Sequence, residues 1–336
     1  MKCIMGKSTN SPKPVALVML TLDEGIHGRV LTIIQKRPKI LARVNIILSR
    51  SRGELAGAIP RAEIFFGWRL SENYCQQAKN LRWVHLASAG IDGALPPAFF
   101  KDDILISCSK GLHQAAMAET AIGMMLSLTR NLHHARDLQK ENRWAFDIVS
   151  SGIGMLEGKT LGIIGAGQVG QAIARRAKAF GLRVIGINSS GHKIPGISEI
   201  GSINRLPWLL KQSDIIVLSV PRTEKTQNLL GSRQFALMKK GALLVNISRG
   251  RVIDQVALIE ALHEGKLSGA GLDVFAEEPL PENSALWEMP DVLITPHIGG
   301  MMPDLYERVT DLFLDNLERY LAGKKLQGIV SKQKGY

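Results

Sequence analysis

Short apolar runs rich in β-branched residues recur along the chain and alternate with longer stretches whose apolar positions return every three or four residues. Before residue 160 the runs are VALVML (15–20), VNIILS (44–49), AEIFFG (62–67), RWVHLAS (82–88) and ILISC (104–108). From residue 160 on they are TLGIIG (160–165), RVIGI (183–187), DIIVLSV (214–220), ALLVNI (242–247), GLDVF (271–275) and VLITP (292–296). Strands that are apolar throughout belong to parallel sheets covered by helices on both faces. The pattern therefore predicts an α/β protein with two doubly wound parallel sheets, the first of five strands and the second of six. Between the sets, the stretch from Ala115 to Leu132 is apolar on most of its circumference. It predicts a helix buried between domains or subunits, with Met117, Met124 and Met125 as core filler.

A chain of 336 residues exceeds one comfortable core, which agrees with two domains. Nearly half the residues are apolar, yet no run nears the roughly 18 needed to span a bilayer. The VALVML run is short for a signal peptide and lacks a cleavage site. A soluble, unexported, cytoplasmic protein with no membrane partner is expected. Cys3, Cys75 and Cys108 form no even framework and no C-x-x-C pair, which fits a reducing compartment and predicts no bound metal. The formal charge of +12 is scattered, without a basic block or interleaved aromatics. That distribution suits steering of a small anion better than binding of nucleic acid.

The candidate chemistry begins at TLGIIGAGQVG (160–170). Its glycines follow a strand pattern and precede an amphipathic helix, the setting in which G-x-G-x-x-G binds a dinucleotide. Gly165 permits the tight turn, Gly167 lets backbone approach a pyrophosphate, and Gly170 lets helix and strand pack closely, with Gln168 and Val169 opening the helix. An S-adenosylmethionine site shares part of this pattern, as does an ordinary glycine turn. The ribose should be read at the end of the next strand, in INSSGHK (187–193). No carboxylate stands there to accept ribose hydroxyls and repel a 2′-phosphate. Asn188, Ser189 and Ser190, with His192 and Lys193 nearby, favour NADP, although neutral residues also permit NAD. Pro221, after the 214–220 strand, is a further cofactor candidate.

Three later strands carry Arg249, Glu278 and His297 to the carboxyl edge of the same sheet, where doubly wound folds place their chemistry. Singly, these could be a surface arginine, a terminal carboxylate and a buried histidine. At this point the sequence resembles the D-isomer-specific 2-hydroxyacid dehydrogenases, in particular their glyoxylate/hydroxypyruvate reductase-like members. The resemblance rests on LASAGID (86–92), MAETAIGMML (117–126), LEGKTLGIIGAGQVG (156–170), GALLVNISRGRVID (241–254), GLDVFAEEPLP (271–281), TPHIGG (295–300) and IVSKQKGY (329–336).

The resemblance implies that Arg249 binds substrate and polarises its carbonyl, that His297 is the acid/base, and that Glu278 pairs with this histidine. It places Asp273 beside the nicotinamide, and gives the backbone N–H groups of Ala89 and Gly90 to the substrate carboxylate. The implied activity is NAD(P)H-dependent reduction of a small 2-oxo acid to the D-2-hydroxy acid. A nucleotide-sensing, corepressor-like scaffold is the alternative. It further implies a Rossmann cofactor domain (111–300) inserted in a flavodoxin-like substrate domain (1–110 and 301–336), with catalysis in the cleft and closure excluding water. A homodimer is implied, with the Met-rich helix as its plausible element.

Overall fold

A computed structural model describes residues 13–100 and 103–332. They divide into two compact units, one running up to Leu112 and resuming at Pro303, the other His113–Met302. The divisions lie two residues beyond those read from the sequence, at 110 and 301.

The first unit holds a five-stranded parallel sheet of β1 (Val15–Met19), β2 (Asn45–Leu48), β3 (Ile64–Gly67), β4 (Trp83–Leu86) and β5 (Leu105–Cys108). Its order is β2-β1-β3-β4-β5, a flavodoxin-like arrangement. The chain returns to this unit for an aromatic reason. Phe313, on the Leu305–Leu321 helix, is fully buried and stacks on Phe66 at 4.3 Å and on Trp83 at 5.5 Å between ring centroids. Beyond that helix, Val330 donates its N–H to Ile106 O and Ile329 bridges Ser107, so the described part of the tail closes on β5. A buried polar chain sits beside them. Trp83 Nε1 donates to Ser107 Oγ, which lies 2.7 Å from His85 Nδ1, and burial drives His85 down to about 3, so it stays neutral.

The second unit holds seven parallel strands rather than six. They are β6 (Thr160–Ile164), β7 (Arg183–Ile187), β8 (Glu199–Gly201), β9 (Ile215–Leu218), β10 (Ala242–Asn246), β11 (Leu267–Leu272) and β12 (Val292–Ile294). The order β12-β11-β10-β9-β6-β7-β8 reverses direction between β6 and β9, the crevice where such sheets bind dinucleotides. Strand β8 escaped prediction because three residues, two of them half-buried, carry too little periodicity to register. Strand β11 begins earlier than the GLDVF run, at Leu267, and the run's last three residues lie beyond the sheet edge.

The predicted 115–132 helix is two helices, Gln114–Thr129 and Leu132–Lys140, broken where Asn131 turns left-handed at φ 57°. Asparagine tolerates that region better than most residues. The first helix packs in the core of its own unit. Ala118, Ala121, Met124 and Met125 are buried with Ile163, Ala174 and Val217. Met124 and Met125 are core filler, and Met117 is half-buried against the same cluster. Apolar surface is exposed downstream instead, at Leu132, Trp144, Phe146, Ile148, Ile153 and Met155. No described helix is long and apolar enough to cross a membrane. Cys75 and Cys108 are free thiols, both pushed up by burial, and Cys3 lies outside the described residues.

Candidate active site

Strand β6 ends at Ile164 and the Gln168–Ala179 helix begins three residues after Gly165, leaving no room for a longer connection. Gly165 adopts φ +102°, and a Cβ there would lie 2.7 Å from Ser219 C and O. Any side chain would break the junction of the β6 and β9 loops, which Ser219 Oγ also ties by donating to Gly165 O at 2.8 Å. At Gly170 a Cβ would meet Gly165 O at 2.6 Å, so helix and strand touch backbone to backbone. Around Gly167, by contrast, there is open space within 4 Å among the described residues. The following helix has no side-chain cap, so its first N–H groups and positive dipole end face that space. This is the environment a pyrophosphate requires, and the residues fit a dinucleotide.

After β7, Asn188 organises its own loop. Its Oδ1 accepts from Ser190 N, Ser190 Oγ and Gly191 N, and its Nδ2 donates to His192 O. Ser189, Ser190, His192 and Lys193 are exposed around it. Pro221 is exposed after β9, its carbonyl accepting from Thr226 Oγ1.

Arg249, Glu278 and His297 come together at the carboxyl edge of β10, β11 and β12. His297 Nδ1 donates to Glu278 Oε2 at 2.7 Å, and Glu278 Oε1 accepts from Phe275 N at 3.0 Å. Nδ1 is thereby committed and Nε2 is the atom left to carry a mobile proton. The hydrogen bond to Glu278 raises His297 above its ordinary range, more than offsetting burial and the repulsion of the Arg249 guanidinium. Burial pushes Glu278 up, but the bonds from His297 and Phe275 and the nearby positive charges bring it below the usual range. The arrangement favours the charged imidazolium beside a carboxylate.

Arg249 is set by a tight turn after β10. Asn246 Nδ2 donates to Arg249 O, Asn246 Oδ1 accepts from Ser248, and Arg249 Nη1 donates to Ser248 O. The next residue must be glycine, because a Cβ on Gly250 would lie 1.8 Å from Phe275 C. That contact presses the arginine turn onto the segment leading to Glu278, and Arg251 Nε reinforces it by donating to Ala276 O.

Asp273 has a structural task that the sequence did not disclose. It is buried, and it accepts from Thr295 Oγ1 (2.6 Å), Ile298 N (2.9 Å) and Gly299 N (2.8 Å). These bonds clamp the loop on which His297 sits in the left-handed region at φ 54°, a conformation that needs such over-determination. His113, at the start of the Gln114–Thr129 helix, adds a bond from Nδ1 to Gly300 O. In the first unit, Ala89 and Gly90 lie past β4, where Ser88 Oγ holds Gly90 O and the Cys108 thiol donates to Ala89 O. The N–H groups of Ala89 and Gly90 have no hydrogen-bond partner among the described residues.

A doubly wound sheet with an open glycine loop at its switch point and a paired histidine and carboxylate at the same edge defines a nicotinamide-nucleotide oxidoreductase. Residues 122–299 match the family model of the D-isomer specific 2-hydroxyacid dehydrogenase, NAD binding domain, and the chain belongs to this family. It is 31% identical over 325 residues to the D-3-phosphoglycerate dehydrogenase of Methanocaldococcus jannaschii, covering 94% of this chain and 60% of that longer protein. It is 35% identical over 271 residues to the glyoxylate reductase of Thermococcus litoralis, covering 79% of this chain and 81% of the relative. A solved D-isomer specific 2-hydroxyacid dehydrogenase from Xanthobacter autotrophicus Py2, in complex with NADPH and MES, superposes with a TM-score of 0.80 at 25% identity, covering 97% of this chain and all of that one.

Proposed function

We propose that the protein reduces a small 2-oxo acid of the glyoxylate or hydroxypyruvate type to the D-2-hydroxy acid, using NADPH in preference to NADH. The observation that carries this reading is the 2.7 Å bond from His297 Nδ1 to Glu278 Oε2 at the sheet edge that also bears Arg249. Similarity to a glyoxylate reductase supports the substrate class, and the NADPH complex of a relative supports the cofactor. The free thiols suit a cytoplasmic setting.

Gly165, Gly167, Gln168, Val169 and Gly170 would hold the pyrophosphate, the 188–190 loop the ribose, and Pro221 the neighbouring edge. When bound, the nicotinamide supplies a hydride to the carbonyl carbon of the substrate. His297 Nε2 gives its proton to the carbonyl oxygen as charge develops there, and Glu278 keeps the imidazole charged beforehand. Arg249, with its forked donors, binds carboxylate and carbonyl oxygens together and stabilises the developing alkoxide. Ala89 and Gly90 offer N–H groups to the substrate carboxylate. Asp273 acts by holding the His297 loop in place. The apolar surface at 132–155 is the surface we assign to a homodimer, in place of the Met-rich helix.

The deciding experiment is a matrix of NADPH and NADH against glyoxylate, hydroxypyruvate, pyruvate and phenylpyruvate, followed by nucleotide oxidation. Silence across the matrix would overturn the proposal. Because reduction consumes the His297 proton, turnover should fall as pH rises through the raised His297 value, and oxidation should show the opposite limb. Glu278→Gln removes the main cause of the elevation, so the falling limb of reduction should move to lower pH. An unmoved limb would mean that another group supplies the proton. Asn188→Asp keeps the acceptor bonds of the ribose loop, loses the donation to His192 O and places a negative charge against a 2′-phosphate. The NADPH/NADH ratio of kcat/KM should fall, and an unchanged ratio would locate ribose recognition elsewhere.

A further inference from the structure

At the opposite edge of the same sheet, where β9, β10 and β11 begin, the second unit has a cavity of about 530 Å³. Three of its lining residues, His133, His134 and Asp291, each direct one ligand atom to a common region, all within 4.8 Å of one another. We propose that these three side chains form a binding site for a divalent transition-metal ion of the zinc class, remote from the site of hydride transfer.

His133 is prepared for coordination. Its Nδ1 lies 3.1 Å from Ser127 O, and a carbonyl can only accept, so Nδ1 carries the proton and Nε2 presents a bare lone pair. That Nε2 is buried and has no hydrogen-bond partner among the described residues. An unpaired buried polar atom is costly, and a cation would satisfy it. His134 Nε2 lies 3.0 Å from Pro290 O and 3.6 Å from Asp291 Oδ1, so a cation replacing its proton would meet both oxygens.

Two imidazoles and a carboxylate, with a carbonyl available as a fourth donor, suit zinc, cobalt or nickel rather than magnesium or calcium. Bonds of about 2.0–2.1 Å to a tetrahedral ion place ligand atoms roughly 3.3 Å apart. From separations of up to 4.8 Å the ligands must therefore contract by up to about 1.5 Å, for which the exposed Asp291 side chain and the open cavity leave room. Such an ion would join the Leu132–Lys140 helix to the entrance of β12. The sequence concealed the site because an adjacent histidine pair and a lone aspartate far along the chain form no ligand spacing.

The test uses full-length protein stripped with a chelator and titrated with Zn²⁺, and with Co²⁺ for its visible spectrum. One ion per chain is expected, with the intense visible bands of a four-coordinate Co²⁺ site. His133→Ala and Asp291→Asn should each weaken binding by more than the roughly 10- to 100-fold typical of losing an outer partner. Zn²⁺ should raise the thermal midpoint of the unaltered chain, and that rise should disappear in Asp291→Asn, whose exposed side chain puts folding at little risk. His297→Gln should bind the ion as the unaltered chain does. Absence of stoichiometric binding would overturn the proposal. So would binding indifferent to Asp291→Asn, or binding abolished by His297→Gln.

Discussion

His297→Asn should lower reductive turnover by about 10²- to 10⁴-fold while leaving nucleotide affinity nearly unchanged. Asparagine is the informative replacement because position 297 sits at φ 54°, a region it tolerates, so the loop clamped by Asp273 should survive. What disappears is the proton on Nε2 and the partner of Glu278 Oε2. The glycine loop that would bind the nucleotide lies after β6, on separate backbone, and makes no use of this imidazole. Steady-state kinetics beside a direct nucleotide titration separates the two effects. Parallel loss of turnover and nucleotide affinity would show that His297 supports the fold of the site rather than the proton transfer.

Arg249→Ala should reduce kcat/KM by about 100-fold or more, the order expected when one preorganised donor to a developing oxyanion is removed. The loss should appear in both KM and kcat, because in the proposed role the guanidinium would bind the carboxylate in the ground state and the carbonyl oxygen more strongly as it gains charge. Arg249→Lys is expected to recover only part of it, since an ammonium keeps the charge without the planar fork. Full rescue by lysine would reduce the role of Arg249 to a point charge. Arg249→Ala should also raise the falling limb of the reductive pH profile slightly, because the Arg249 charge depresses His297, whereas Arg249→Lys, which keeps the charge, should leave it nearly in place. Measuring rate against pH in both variants checks that sign.

Much of this site was legible in the sequence because local patterns carried it. Gly165, Gly167 and Gly170 follow an apolar strand and open an amphipathic helix, and Arg249, Glu278 and His297 lie on or just past strand ends, which a parallel sheet brings to one edge. Other features had no local signature. Asp273 reads like any aspartate near a strand end, and its three bonds to residues 295–299 exist only because β11 and β12 are neighbours. Gly250 differs from other turn glycines only through the backbone of Phe275 across the fold. Asn131 broke a helix that periodicity had run straight through, because a left-handed residue changes direction without changing hydropathy.

The sequence by itself determined the fold class, the paired sheets, the nucleotide loop and the family to which the chain belongs. Each follows from periodicities and short motifs that act within a few residues. Only the tertiary structure decided which side chains hold which atoms: the committed Nδ1 of His297, the Asp273 clamp and the gathering of His133, His134 and Asp291. Hydrogen bonds and ligand geometry depend on distances of a few ångströms between residues far apart in the chain, and the packing of strands and helices sets those distances.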